Sequence, residues 1–265
     1  MDIQILQLVE GARQAKGLTV IIDVFRAFTT ESFIMSRNPK KIIPVGDVEV
    51  AWNYKATHPD AVLCGERGGA IIEGFDYGNS PSAVVEEDFT GKTIIHTTSA
   101  GTQGIVNAIG ADEILGGCLV NAKAIAYYIK KQQPKFVSLV CMGLAGKRPT
   151  DEDTLCAEYI KGLLENHPIA DMESHINALR LTDGAKFFDE KQQHIFPRRD
   201  FELSTMVGIC PFVLRLTRDP ESGLHRMERV DVPEAFAPPA NARLSDFTRE
   251  QQLFLPDWFR ITAEE

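Results

Sequence analysis

Apolar residues along this chain gather into short runs, separated by stretches where they recur every three or four positions. Thr19-Val20-Ile21-Ile22-Asp23-Val24 is continuous and β-branched, without polar alternation, the mark of a strand covered on both faces. Ile3 to Val9, Lys41 to Val45, Ala61 to Cys64, Lys92 to Thr97, Glu113 to Leu115 and Phe136 to Cys141 predict further strands. Helical spacing is expected from Ala27 to Arg37, from an Asp47 cap to Thr57, and from Gly101 to Ile109. Two more helices run from an Asn121 cap through Ala122 to Lys131 and from Asp151 to Asn166. Strands that alternate with helices build a largely parallel sheet with helices packed on it, an α/β fold.

The later chain reads differently. Residues 170–200 look mostly helical, and Gly208 to Thr217 with Met227 to Val232 look like an antiparallel strand pair. The connection Gly65 to Gly91, rich in Gly, Asn, Ser and Pro, is longer than ordinary loops and marks a functional one. A main domain is expected over 1–232 and an extension over 233–265. The extension carries Pro233, Pro238 and Pro239 and ends among Phe254, Trp258 and Phe259. Exposed aromatics are unfavourable in a free tail, so it is expected to dock on its own chain or on a partner.

Composition narrows the class. The net charge of -9 over 265 residues and the lack of any long Lys/Arg run argue against nucleic acid as a partner. An acidic protein that takes an acidic ligand needs local positive charge, from arginines, backbone N–H groups or a metal. Five scattered cysteines without a CxxC pair fit a reducing compartment, not a disulfide framework or structural zinc. The N-terminus lacks a signal-peptide pattern, and no apolar stretch approaches the roughly 20 residues needed to span a bilayer. A soluble, cytoplasmic protein is expected, with no membrane partner and a homo-oligomer left open.

Several polar clusters follow predicted strands, where open α/β sheets bind ligands. In Asp23-Val24-Phe25-Arg26-Ala27-Phe28-Thr29-Thr30, Asp23 can ligate Mg²⁺ or attack phosphorus, and Arg26 can grip two phosphate oxygens. Thr29 and Thr30 can donate further hydrogen bonds; the plain alternative is an Asp cap. Cys64-Gly65-Glu66-Arg67-Gly68-Gly69 offers Glu66 as metal ligand, Arg67 as anion clamp and Gly68 and Gly69 for close backbone approach, or else an ordinary turn. Asp76 and Asn79 lie in Gly74-Phe75-Asp76-Tyr77-Gly78-Asn79-Ser80-Pro81, which turn chemistry alone explains equally well. His96-Thr97-Thr98-Ser99-Ala100-Gly101-Thr102 leads from strand into helix. Thr97, Thr98, Gly101 and Thr102 there suit an anion, or simple capping. His96 reads better as a core or surface histidine than as a catalyst. Asp151-Glu152-Asp153 would repel unless a cation such as Mg²⁺ relieves it, although acids at a helix start are common.

Known hydrolase signatures fail. A DxDxT nucleophile motif is blocked by Phe25, no C-x5-R follows Cys141, and no GxxxxGK[ST], GxSxG, HExxH or GxGxxG occurs at a suitable place.

Together the segments 23–30, Gly-Glu-Arg-Gly-Gly at 65–69, 74–81, Gly-Lys-Thr with Thr-Thr-x-x-Gly-Thr at 91–102, and Glu-Asp-x-x-Cys-Ala at 152–157 resemble the 2-phosphosulfolactate phosphatase family. The resemblance covers roughly residues 1–215. It implies a three-layer α/β fold of its own kind, with a mixed sheet flanked by helices and room for two similar subdomains. It further implies a Mg²⁺-dependent phosphatase acting on a small anionic phosphorylated substrate; the family's founding activity releases sulfolactate in coenzyme M biosynthesis. Carried over by motif, the catalytic residues are Asp23, Arg26, Glu66, Arg67 and Asp153, and the metal ligands come from Asp23, Glu66, Glu152 and Asp153. Phe25, Phe28 and Ser99-Ala100 depart from the family pattern, which bears on the substrate more than on the chemistry. Two rivals stay open: another phosphorylated metabolite with a hydrolase or lyase reaction, or a non-catalytic anion binder on the same scaffold.

Overall fold

The structure is a computed structural model describing residues 1–232, 235 and 244–255. Among them, ten strands form one mixed sheet: β1 (Asp2–Gln7), β2 (Gly17–Ile22), β3 (Lys41–Pro44), β4 (Val62–Arg67), β5 (Ala70–Ile71), β6 (Thr93–Thr97), β7 (Ala111–Gly117), β8 (Phe136–Cys141), β9 (Phe212–Arg218) and β10 (His225–Asp231). Their order is β1-β8-β2-β7-β9-β10-β3-β6-β4-β5. The sheet contains two parallel blocks, β1-β8-β2-β7 and β3-β6-β4. The β9–β10 hairpin joins them, antiparallel to β7 on one side and to β3 on the other.

Helices flank this sheet: α1 (Leu8–Gln14), α2 (Ala27–Ser36), α3 (Val48–Thr57), α4 (Pro81–Val84), α5 (Gly101–Asn107), α6 (Ala122–Gln132), α7 (Asp151–Leu164), α8 (Met172–Leu179), α9 (Arg198–Ser204) and α10 (Arg249–Gln252). Strand β2 is buried at every position, as its unbroken apolar run requires. Helix α2 is unusual in being buried on all sides, from Ala27 to Met35. Phe28 lies against Gly116 of β7, Glu31 pairs with His96 of β6, and Ser32 Oγ sits 3.6 Å from Cys118 Sγ.

That helix explains how the two blocks share one site. At roughly 4.8 Å per strand, a flat sheet would hold β2 and β6 about 24 Å apart. Yet a Cβ on Gly101, just beyond β6, would stand 2.9 Å from Ala27 Cβ and 3.1 Å from Asp23 Oδ2. The sheet therefore curls around α2 and brings the carboxyl ends of both blocks together.

The expected α/β architecture is present, with local differences. The first strand ends at Gln7; Leu8, at φ 66°, turns the chain into α1, which the strand reading to Val9 did not foresee. Strand β4 continues past Cys64 to Arg67, and the long connection contains β5 and the Pro81-led α4. Residues 170–200 fold as short pieces, α8, α9 and two 3-10 turns at Ala185–Phe188 and Glu190–Gln192. They share a small core of Leu155, Leu179, Phe187 and Phe201. Phe254 of the extension is buried against Phe33 and Phe212, at ring distances of 5.4 and 6.2 Å. Pro233, Pro238, Pro239, Trp258 and Phe259 lie outside the described residues. All five cysteines are free and buried, and among the described residues no helix is long and apolar enough to cross a membrane.

Candidate active site

A cavity of about 470 Å³ opens at the carboxyl ends of β2, β8 and β4 and beside the turn after β6. Asp23, Glu66, Glu152 and Asp153 all line it, with Phe25, Arg26, Gly68, Gly69, Asn79 and Lys186. Four acids far apart in sequence thus meet, each delivered by a different physical device. Asp23 follows β2, and its Oδ1 accepts from the Ala27 amide at 3.2 Å, the start of α2. Asp153, in the first turn of α7, ties two strand ends together: Oδ1 accepts from Val24 N and Oδ2 from Gly143 N, both at 2.8 Å. Glu66, inside β4, accepts from Ser99 N at 2.6 Å and Gly69 N at 2.7 Å. Glu152 is buried with Oε2 unpartnered.

Burial governs the protonation of this cluster. It pushes Asp23 up to about 6, the Glu66 charge adding to it while amide donors from Ala27 and Gly101 oppose it. Burial likewise raises Glu152 to about 7, against the pull of the Lys186 ammonium. Asp153 is raised well above the usual carboxylate range by burial, then by the charges of Glu152 and Asp23, despite its two amide donors. Lys186 moves the other way: burial lowers it, while Glu152 and Asp23 hold it up.

Arg26 reaches the cavity but is heavily engaged. Its Nη1 donates to Asp200 Oδ2 and to the Ile195 carbonyl, both at 2.8 Å, and its Nη2 to the Gly69 carbonyl at 2.7 Å. The guanidinium also lies 4.9 Å from the Phe196 ring centre. Asp200 is fully buried and accepts from Ser80 Oγ, Ser82 N and Ser82 Oγ as well. Asn79 Oδ1 faces His96 Nε2 at 3.2 Å, and Glu31 holds the other ring nitrogen at 2.7 Å. His96 is thus a partnered core histidine.

The remaining candidates stand outside the cavity lining. Arg67 is exposed, donating to Thr97 Oγ1 and to the Glu66 carbonyl. Asp76 is exposed, accepts from Leu63 N and sits 3.6 Å from Lys55. Thr29 and Thr30 are buried in α2, and Thr29 donates to the Val24 carbonyl. Thr98 and Thr102 bond one another across the first turn of α5. Gly101 lines no part of the cavity, but its missing side chain is what lets α5 approach Asp23. Sequence reasoning passed over Lys186, Gln192, Phe196, Asp200 and the Gly143-Leu144-Ala145 turn. The need for local positive charge in an acidic protein was the signal that could have led to Lys186.

The fold and cavity define an α/β protein with an acid-rich pocket of metabolite size at its strand ends. The chain belongs to the 2-phosphosulpholactate phosphatase family, whose model matches residues 3–197. A Bacillus subtilis (strain 168) relative is 30% identical over 223 residues, 83% of this chain and 96% of that one. Relatives from Caldicellulosiruptor saccharolyticus and Caldanaerobacter subterraneus subsp. tengcongensis are 42% and 39% identical, over 56% and 58% of this chain. Those two matches span 63% and 64% of the relatives' own length, under two thirds. Each of the three is called "Probable 2-phosphosulfolactate phosphatase".

Proposed function

We propose that this protein is a Mg²⁺-dependent phosphatase that hydrolyses a small acidic phosphoester, 2-phosphosulfolactate or a related phosphorylated hydroxy acid. One observation carries the reading: Asp23, Glu66, Glu152 and Asp153 line a single cavity with the Lys186 ammonium. Family membership and the names of the relatives support it.

The donor set suits magnesium. All four acids offer hard oxygen ligands, burial shifts three of them toward the protonated form, and Glu152 Oε2 has no partner. A divalent cation re-ionises such a cluster and supplies the missing charge. Among the described residues no three His, Cys, Asp or Glu side chains form a ready metal cluster. Mg²⁺ commonly takes one or two carboxylates and completes its shell with water and phosphate oxygens. Asp23 and Glu152, the latter with its Oε2 unpartnered, are the residues that would hold it. Bound there, Mg²⁺ would polarise a phosphoryl oxygen as a Lewis acid.

This chain's residues supply the rest. Asp23 faces the phosphoryl group, aimed by its bond from Ala27 N. Glu66 holds the Gly69 and Ser99 amides in place, and so shapes the wall on which the ester rests. Phe25 and Phe196 give the cavity an apolar stretch of wall.

Phosphate release from acidic phosphoesters is the test. EDTA abolishes it, Mg²⁺ restores it, and Asp23→Asn lowers kcat on the order of 10³-fold. Absence of release from every acidic ester offered, with Mg²⁺ present, sinks the proposal. Rapid quench with labelled ester separates attack by Asp23, which leaves a phosphoenzyme, from attack by water, which does not.

A further inference from the structure

We infer that Lys186 receives a second acidic group of the substrate, a carboxylate or sulfonate beside the phosphoester, and thereby sets a preference for acidic esters over neutral-tailed ones. The inference rests on the phosphatase reading and narrows its substrate class.

The cations near the site leave Lys186 as the receiver. Arg26 is bolted to Asp200 and to the carbonyls of Ile195 and Gly69, so its donors face protein acceptors. Arg67 is exposed and lines no part of the cavity. Lys186 does line it, and among the described residues no carboxylate forms an ion pair with its ammonium. The side chain is held in place all the same. Its neighbour Phe187 is fully buried in the small core, and the ammonium lies 5.9, 5.3 and 5.2 Å from the ring centres of Phe25, Phe187 and Phe196.

Aromatic faces attract a cation without neutralising it. Glu152, Asp183 and Asp23 act on the ammonium from a distance without pairing with it, so its donors remain for an incoming anion. The competing role is to balance Glu152, Asp183 and Asp23 at a distance. A lysine stem is long and flexible enough to close on a neighbouring carboxylate, yet this ammonium stands near the three rings and forms no such pair among the described residues. As a compact point charge, the ammonium accepts one oxygen of either a carboxylate or a sulfonate, so both acids fit.

Two measurements test this. Calorimetry with sulfoacetate, a carboxylate–sulfonate without a phosphoester, reads the acid site alone. Wild type binds it, Lys186→Met weakens binding at least tenfold, and Lys186→Arg recovers part of the loss. Kinetics then compare phosphoglycolate with p-nitrophenyl phosphate. In Lys186→Met, kcat/KM is expected to fall about 100-fold on phosphoglycolate, mostly through KM, and about tenfold less on p-nitrophenyl phosphate. Equal losses on both esters, no loss on either, or a wild type blind to sulfoacetate would each overturn the assignment. Circular dichroism and thermal melts of both variants confirm that folded proteins are compared. Lys186-dependent sulfoacetate binding without hydrolysis of any ester keeps the acid site and removes the phosphatase reading. Hydrolysis indifferent to Lys186 does the reverse.

Discussion

Asp23 and Asp153 are buried aspartates in one cavity, yet their surroundings ask opposite things of them. Asp153 uses both oxygens as acceptors, from Val24 N and Gly143 N, and so fastens the ends of β2 and β8. Asp153→Asn would turn an NH₂ group against one of those amides and strand it, at a cost of about 2 kcal/mol. A fall of several degrees in Tm is expected. Asp23 is held mostly in its acid form below about 6, so Asp23→Asn mimics that form and should leave Tm level or higher while activity is lost. Melting both variants side by side checks the contrast; equal destabilisation refutes it. The four acids were legible as candidates because each stands at a strand end or helix start. Arg67 differs from its neighbour because successive strand residues point to opposite faces, so Glu66 turns inward and Arg67 out. Lys186 left only a general signal in the sequence, the need for local positive charge, because what sets it apart is three rings contributed by residues 25, 187 and 196.

At the level of elements, the strand β8, the cap and extent of α3 and the body of α2 followed directly from periodicity and turn chemistry. Asp47 does accept from Glu49 N, as its cap position implies. The failures lie where local pattern gives way to tertiary constraint. Helix α1 begins at a non-glycine residue with positive φ, which propensity disfavours. Asn121 precedes α6, but its Oδ1 accepts from Cys118 N and not from the helix. The pieces between α7 and β9 are too short to show a period, so residues 170–200 revealed helical content and nothing of the cavity wall they form. Helix α2 rests on β7 through Phe28, and the contact needs a glycine beneath it. A Cβ on Gly116 would fall 2.5 Å from Phe28 Cδ1, in a core with no slack. Gly116→Ala should therefore cost about 2 kcal/mol or more, and displace the α2 start that carries Asp23. Chemical denaturation and phosphate release together check this: both should fall, and an unchanged denaturation midpoint would contradict the packing.

Across the whole molecule, the curled sheet converts two parallel blocks into the walls of one acid-lined pocket, and that pocket stores an electrostatic cost. Asp23 and Glu152 have folded pKa values near 6 and 7, above their ordinary 3.8 and 4.5. The fold therefore binds protons more tightly than the unfolded chain does. Stability from these groups is full below the unfolded values and is lost as pH rises through the folded ones, a window from roughly 4 to 7. Metal-free protein should accordingly melt several degrees lower at pH 8 than at pH 5, against the acid-lability usual for proteins whose carboxylates are paired. Mg²⁺ competes with the protons it displaces, so its stabilising effect should grow with pH across the same window. Thermal melts at pH 5 and pH 8, each with EDTA or with excess Mg²⁺, measure both effects. A Mg²⁺-induced Tm rise that is equal at the two pH values would separate the metal from Asp23 and Glu152. A rise confined to pH 8 ties the ion to the residues that burial keeps protonated.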